Sequence, residues 1–398
     1  MTLDDLQIAG KRVLVRVDFN VPITEDGKVR DFFRMTAALP TIHNIIDYGG
    51  IAILMSHLGR PKGERNMKYS LQPVADELAN MLAQEVKFAP DCIGPEIEQI
   101  TRELKPGDVL LLENVRFHPG ETENDPEFAA QLAKLGDVYV DDAFGAAHRA
   151  HASIHAVAQQ FQENAVAGRL MMREISFLSR TLLHPNRPFL GVVGGAKVSS
   201  KIKMVKRLIT KVNKLLIGGG MAFTLIKTRG GEIGDSIFEP DFIDETQEIS
   251  RLIDKGRIVL PEDTLAARTA DTTSERQVFP SNEIPAGWIG LDIGPKARET
   301  FKKEIRAAKT VFWNGPMGLF EIPAFATGTR DIARALIDMT SSGGVSVVGG
   351  GDSTAALNKF HLLRPMTHIS TGGGSLLEFM EGKSLPGIDV LTDLEETI

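Results

Sequence analysis

Residues 189–201 read FLGVVGGAKVSSK. A β-branched run that is apolar on both faces ends in two glycines, and a polar, lysine-bearing stretch follows. Such runs suit strands of a parallel sheet covered on both sides. The pattern recurs outward along the chain. Downstream lie KLLIGGG (214–220), RIVLPE (257–262), WIGLDIG (288–294), TVFWNG (310–315), VSVVGGG (345–351) and HISTGGG (368–374). Upstream lie RVLVRV (12–17), IAILM (51–55), VLLLE (109–113) and DVYVDDAF (137–144). Intervening segments such as 71–83 and 331–339 have helical spacing. Strand–helix alternation predicts an α/β protein with right-handed crossovers.

RLMMREISFLSRTLLH (169–184) reads as one helix, ended by Pro185 and Pro188 because proline cannot continue a helix. Loop chemistry changes there, from arginine, histidine and acids to glycine clusters. The expectation is therefore two doubly wound, parallel-sheet, Rossmann-like lobes, 1–168 and 186–384, joined by a helix over 169–185, with a cleft between them. The length of 398 residues agrees, since domains average about 150 residues. With 42% hydrophobic and 24% charged residues, the chain reads as globular. Its single cysteine, Cys92, excludes a disulfide scaffold and a cysteine zinc site and reads as a small hydrophobe. A net charge of −7 excludes a general nucleic-acid binder. No apolar run approaches the ~18 residues of a membrane span. The start, MTLDDLQIAG, has neither the basic nor the apolar region of a signal peptide. A cytoplasmic protein with no membrane partner is expected.

Open parallel sheets bind ligands outside the carboxyl ends of their strands. The first half places Asp18 and Asn20 there, then His57 and Arg60, Arg116, and His148, Arg149 and His151, while Arg34 starts a helix. Each cation alone could pair with a surface acid. Gathered at one sheet edge of an acidic protein, they point to a small polyanion, whose oxygens the guanidinium fork matches. His148 and His151 lack a third convincing metal ligand. The second half places glycine at the same points: GGAKVSSK (194–201), GGGM (218–221), GLDIGP (290–295), NGPMG (314–318), GGGDS (349–353) and TGGG (371–374). Glycine lets backbone amides approach anionic oxygens at helix starts. A tight turn accounts for one such loop; six point to a nucleotide or polyphosphate. Neither G-x-x-x-x-G-K-[ST] nor G-x-G-x-x-G occurs. Lys197 and Lys201, four apart at an expected helix start, can face one ligand despite opposing the helix dipole. Asp352 is either a helix cap or, beside phosphates, a partner for Mg²⁺. Glu321 could take ribose hydroxyls or lie on the surface.

RVDFNVP (16–22), SHLGRP (56–61), ENVRF (113–117), GAAHRAHAS (145–153), VVGGAKVSSKI (192–202), GLDIGP, FWNGPMGLFE (312–321), GGGDS and STGGG (370–374) together resemble phosphoglycerate kinase, in order and along nearly the whole chain. The resemblance implies Mg²⁺-dependent, reversible phosphoryl transfer between 1,3-bisphosphoglycerate and ADP, giving 3-phosphoglycerate and ATP, by a monomer. It implies that Asp18, Asn20, Arg34, His57, Arg60, Arg116 and Arg149 bind the phosphoglycerate. Lys197, Lys201, Gly290, Glu321, Gly350, Gly351, Asp352 and Ser353 would bind the nucleotide, with Asp352 the metal-associated acid. The amides of Gly372 and Gly373 would receive the moving phosphoryl group, and segment 385–398 would return to the first lobe. Two departures stand out: TGGGSLLE (371–378) where the family commonly reads TGGGASLE, and Ala146 where GTAHRAH is usual. The serine shift puts any capping role of that hydroxyl in doubt.

Arg34 and Lys197 are the expected catalytic pair at the transferring group, one from each lobe. The acceptor oxygen is already ionised, so no general base is needed. In-line transfer that excludes water calls for the lobes to close. A two-domain dehydrogenase is opposed by the missing dinucleotide fingerprint. A non-enzymatic binding protein for phosphorylated ligands would bind without turnover and would normally carry an export signal.

Overall fold

The apolar runs of the first half pair into one parallel six-stranded sheet, ordered β3-β4-β2-β1-β5-β6. Its strands are β1 (Arg12–Val17), β2 (Ile51–Met55), β3 (Val86–Phe88), β4 (Val109–Leu111), β5 (Val138–Asp142) and β6 (Ala165–Ala167). Strands β3 and β6 have three residues each, and the sequence reading names neither. Helices α1 (Phe33–Asp47), α2 (Gln72–Leu82), α3 (Pro95–Glu103), α4 (Pro119–Glu123), α5 (Pro126–Ala133) and α6 (Ala156–Phe161) follow the strands. Val13, Val15 and Leu54 share a core with Met35, Ile42 and Ile45 of α1 and Val74 and Leu78 of α2.

The computed structural model describes residues 2–391. The chain forms two units: one runs to Phe177 and takes back the segment from Ser384, and the other spans Leu178–Lys383. The boundary falls inside α7 (Arg169–Leu183). Distant side chains satisfy this helix's first amides, which have no partner within the helix. Thr41 Oγ1 accepts from Arg169 N at 2.9 Å, and Asp142 Oδ1 accepts from Leu170 N at 2.9 Å and Met171 N at 3.1 Å.

The second unit carries another parallel six-stranded sheet, ordered β10-β8-β7-β15-β16-β17. Its elements run β7 (Phe189–Val193), α8 (Ile202–Lys211), β8 (Lys214–Ile217), α9 (Met221–Thr228), β9 (Glu232–Ile233), α10 (Ile243–Asp254) and β10 (Ile258–Val259). Then come β11 (Asp263–Ala267), β12 (Arg276–Pro280), β13 (Glu283–Ile284), β14 (Ile289–Ile293), α11 (Pro295–Ala307), β15 (Thr310–Asn314), α12 (Thr327–Ser341), β16 (Val345–Gly349), α13 (Gly351–Lys359), β17 (His368–Ile369) and α14 (Gly374–Glu381). Val192, Val311, Trp313 and Val348 pack against Phe301 and Ile305 of α11 and Ile332 and Leu336 of α12. This is the α/β architecture that the alternation predicts, with one correction. WIGLDIG does not join the parallel sheet: β14 pairs antiparallel with β11, which pairs antiparallel with β12. An apolar run signals burial, and direction depends on a partner strand that the run does not contain.

The last segment, α15 (Pro386–Asp389), belongs to the first unit, where Gly387 N donates to Ala147 O at 2.9 Å. The remainder of the expected return, 392–398, lies outside the described residues. Among the described residues no helix is long and apolar enough to cross a membrane.

Candidate functional site

In the first unit the loops after β1, β2, β4 and β5 leave one edge of the sheet and are tied together by their own polar residues. Arg34, in the first turn of α1, pairs with Asp18 Oδ2 at 2.9 Å and donates to Asn20 O at 3.2 Å, both through Nη1. Asn20 Oδ1 accepts from Gly59 N at 2.9 Å, and Arg116 donates to Gly59 O at 2.9 Å. His57 is buried and receives Arg16 Nη2 on Nδ1 at 3.1 Å. Arg149 Nε donates to His148 Nε2 at 3.1 Å. Arg60 is exposed on the loop that Asn20 and Arg116 anchor.

Positive charge is concentrated here. Burial, then Arg16, Arg116, Arg34 and Arg149, hold the His57 imidazole well below its ordinary pKa, so it is neutral at physiological pH. Burial, then Arg16 and Arg149, push Arg116 down to about 10. Arg116 Nε is buried without a hydrogen-bond partner among the described residues. An orphaned donor in an excess of cations is suited to an anion from solvent. Among the described residues the one grouping of three metal-type ligands is Asp91, Cys92 and His118; it includes neither His148 nor His151. Cys92 is buried, and burial raises its thiol well above the ordinary value.

Arg16 and Ser153 lie within quoted motifs but are not singled out there, and Glu121 lies outside them. All three are fully buried. A charged residue inside the apolar run RVLVRV was the available signal for Arg16.

In the second unit the sheet order reverses between β7 and β15, and ligands of open α/β sheets sit at such points. A cavity opens there, lined by Gly195, Gly219, Gly290, Met317, Glu321 and Asp352 among others. A Cβ at Gly290 would lie 2.2 Å from Phe223 Cζ and displace that ring, which also lines the cavity. Lys201 turns back onto the loops: Nζ donates to Gly194 O at 2.7 Å and Asn314 O at 3.1 Å, using two of its three donors. Burial pushes its ammonium down to about 8, which Asp352 opposes. Lys197 is exposed on the loop before α8. The shared helix face expected for these lysines is therefore not formed, since α8 begins at Ile202.

The N-cap of α13 is Gly350, at φ 89°, so Asp352 is not the cap. It is an exposed acid in the helix's first turn, beside Gly351. Ser353 is buried, and its Oγ accepts from Gly315 N at 2.6 Å; its hydroxyl braces the NGPMG loop. Asn314 Nδ2, beside Gly350, is buried without a partner among the described residues, and the motif reading passes over it. Gly373 caps α14 at φ 45°, with no side-chain cap bond, and Gly372 N donates to Ser370 Oγ at 3.0 Å. The shifted serine, Ser375, is buried, and Leu376 fills the space over Gly349, where a Cβ would lie 2.0 Å from Leu376 Cδ2.

A hard cation such as Mg²⁺ takes oxygen ligands and is commonly held by one or two carboxylates plus substrate phosphates and water. Asp352, an exposed carboxylate on the cavity wall, fits that donor set.

The phosphoglycerate kinase family model matches residues 3–383. The chain is 50% identical over 398 residues to the phosphoglycerate kinase of Chloroflexus aurantiacus (strain ATCC 29366 / DSM 635 / J-10-fl), covering 99% of each. It is 51% identical over 395 residues to that of Moorella thermoacetica, again covering 99% of each. The solved phosphoglycerate kinase of Coxiella burnetii superposes with a TM-score of 0.84 at 39% identity, and that of Pyrococcus horikoshii OT3 with 0.86 at 31%. Both cover 100% of each chain.

Proposed function

Because this chain belongs to the phosphoglycerate kinase family, a glycolytic phosphotransferase with a carboxyl group as acceptor, we propose a division of labour. The cation cluster of the first unit binds the phosphoglycerate, and the glycine loops of the second bind ATP or ADP. The observation that carries this reading is the orphaned Arg116 donor beside a neutral, buried His57 and three further arginines at one strand-end edge.

Asp18 and Asn20 set the positions of Arg34 and of the loop carrying Arg60, and Arg116 and Arg149 complete the anion site. Gly290, with Phe223 against it, shapes the nucleotide's place, and Glu321 takes ribose hydroxyls. Lys201, with its remaining donor, and the amides of Gly350, Gly351 and Ser353 face the phosphates. Asp352 holds Mg²⁺, which would neutralise phosphate charge when bound. Arg34 and Lys197 stabilise the charge spread over the transferring group, and the Gly372 and Gly373 amides receive it. Transfer of this kind depends on positioning and electrostatics, with little covalent chemistry for the protein. The acceptor oxygen is already ionised and no base is required. Since reacting atoms must come within about 3–3.5 Å, the cycle includes closure of the two units on each other. We take the working enzyme to be a cytoplasmic monomer, which sedimentation and fractionation would test.

Purified protein should form ADP from ATP only when 3-phosphoglycerate and Mg²⁺ are both present. ADP formation indifferent to 3-phosphoglycerate would overturn the assignment of the cation cluster.

A further inference from the structure

We infer that Arg16 is a positioning residue: it holds His57 in the tautomer with its proton on Nε2, so that the imidazole offers the phosphoglycerate a donor. This rests on the reading of the first unit's cluster as the phosphoglycerate site.

Arg16 lies on β1 and is fully buried. Its guanidinium is spent inside the protein: Nη1 on Val17 O, Nε on Ser153 Oγ at 2.8 Å, and Nη2 on His57 Nδ1 at 3.1 Å. A guanidinium only donates and stays protonated. Nδ1 of His57 must therefore carry the lone pair, and a neutral imidazole accepting on Nδ1 bears its hydrogen on Nε2. The other charged groups acting on the ring are Arg116, Arg34 and Arg149. All are cations, and none offers Nδ1 an acceptor that would favour the opposite tautomer.

A buried counter-charge keeps Arg16 in place. Ser153 accepts from Arg16 and its hydroxyl donates to Glu121 Oε1 at 2.7 Å, while its amide donates to Oε2 at 2.8 Å. Glu121 is fully buried. Burial opposes its ionisation, but the nearby His151, the Arg16 charge and bonds from Ser153 outweigh it and lower its pKa. His151 Nδ1 stands 3.7 Å from the same carboxylate. The chain Glu121–Ser153–Arg16–His57 thus fixes the ring from behind, with Arg16 itself fully buried. A tautomer with Nε2 as acceptor would set a lone pair against an anionic ligand; this one sets a donor.

The test is ¹⁵N NMR of protein labelled at histidine. In the wild type, without substrate, His57 should show the Nε2–H pattern unchanged from about pH 6 to 8. An Nδ1–H pattern or an imidazolium would overturn the inference. Arg16→Met alone strands the Glu121 charge and risks unfolding, so Arg16→Met/Glu121→Gln is the informative variant, and Glu121→Gln, which leaves Arg16 intact, is its control. The double variant should show mixed tautomers. Its KM for 3-phosphoglycerate should rise on the order of 10-fold, the worth of one charge-assisted bond, with kcat and the KM for ATP held. The control should keep Nε2–H. A double variant that keeps the wild-type tautomer or the wild-type KM would refute the role of Arg16. Failure of the wild type to use 3-phosphoglycerate would instead refute the functional reading, and the NMR result stands apart from it.

Discussion

Truncating Arg34 separates binding from transition-state stabilisation. Both described bonds of the guanidinium use Nη1, which leaves the rest of the fork for a phosphoryl group. Charge-assisted hydrogen bonds contribute about 1.5–3 kcal/mol each. Two of them on the transferring group amount to roughly 3–6 kcal/mol, or about 10²- to 10⁴-fold in rate, which overlaps the roughly 10³- to 10⁵-fold worth of arginine fingers. Arg34→Ala should therefore lower kcat by about 10³-fold while ATP affinity, measured by calorimetry, stays near that of the wild type. The mutation also removes the ion pair of Asp18, a side chain only 6% exposed. Asp18 keeps the Asn20 amide at 3.3 Å, so the stability loss should be about 1–3 kcal/mol. Urea unfolding would measure that loss and identify the concentration range in which rates are compared on folded protein. Arg34→Lys keeps a charge near Asp18 but loses the planar fork, and should recover stability more than rate. A kcat for Arg34→Ala within about threefold of wild type, less than one such bond is worth, would return Arg34 to a structural partner of Asp18.

Asp352→Asn should leave the fold intact, because Gly350 is the cap and only a helix-dipole contribution of about 0.3–1 kcal/mol is lost; a Mg²⁺ titration of ADP formation should shift to higher concentration, and coincident curves would refute the metal role. Asp292, which accepts Gly328 N at 2.7 Å and Ile293 N at 2.9 Å, is pushed up to about 7 chiefly by burial. A carboxyl raised on folding contributes stability that is full below about pH 4 and is lost as pH rises through about 7, on the order of 4 kcal/mol. Asp292→Asn should flatten that fall in urea-unfolding curves, and an unchanged pH profile would show that the carboxyl ionises freely. Solution scattering should give the largest drop in radius of gyration when 3-phosphoglycerate and Mg·nucleotide are both bound, with smaller changes for either alone; an unchanged radius under saturating conditions would argue against closure.

The local sequence determined the strands of both parallel sheets other than β3 and β6, the glycine loops after most of them and the helix from residue 169. These follow from neighbours in the chain: β-branched runs, punctuation by glycine and proline, and helical spacing. The grouping of the candidate site's arginines and glycines at strand ends was legible because strand ends in a parallel sheet share one edge. The direction of β14, the short strands β3 and β6, and the start of α8 after Lys201 were not legible, because each depends on partners elsewhere. The same holds for side-chain roles. Arg16 meets Ser153 across 137 residues and Ser353 meets Gly315 across 38, and Asp292 caps a helix 36 residues away. A hydrogen bond between distant residues leaves no periodicity to read. Only the folded chain decided that Arg16 faces His57 rather than solvent, that Ser353 braces a loop, and that Asp352 is left exposed beside the cavity.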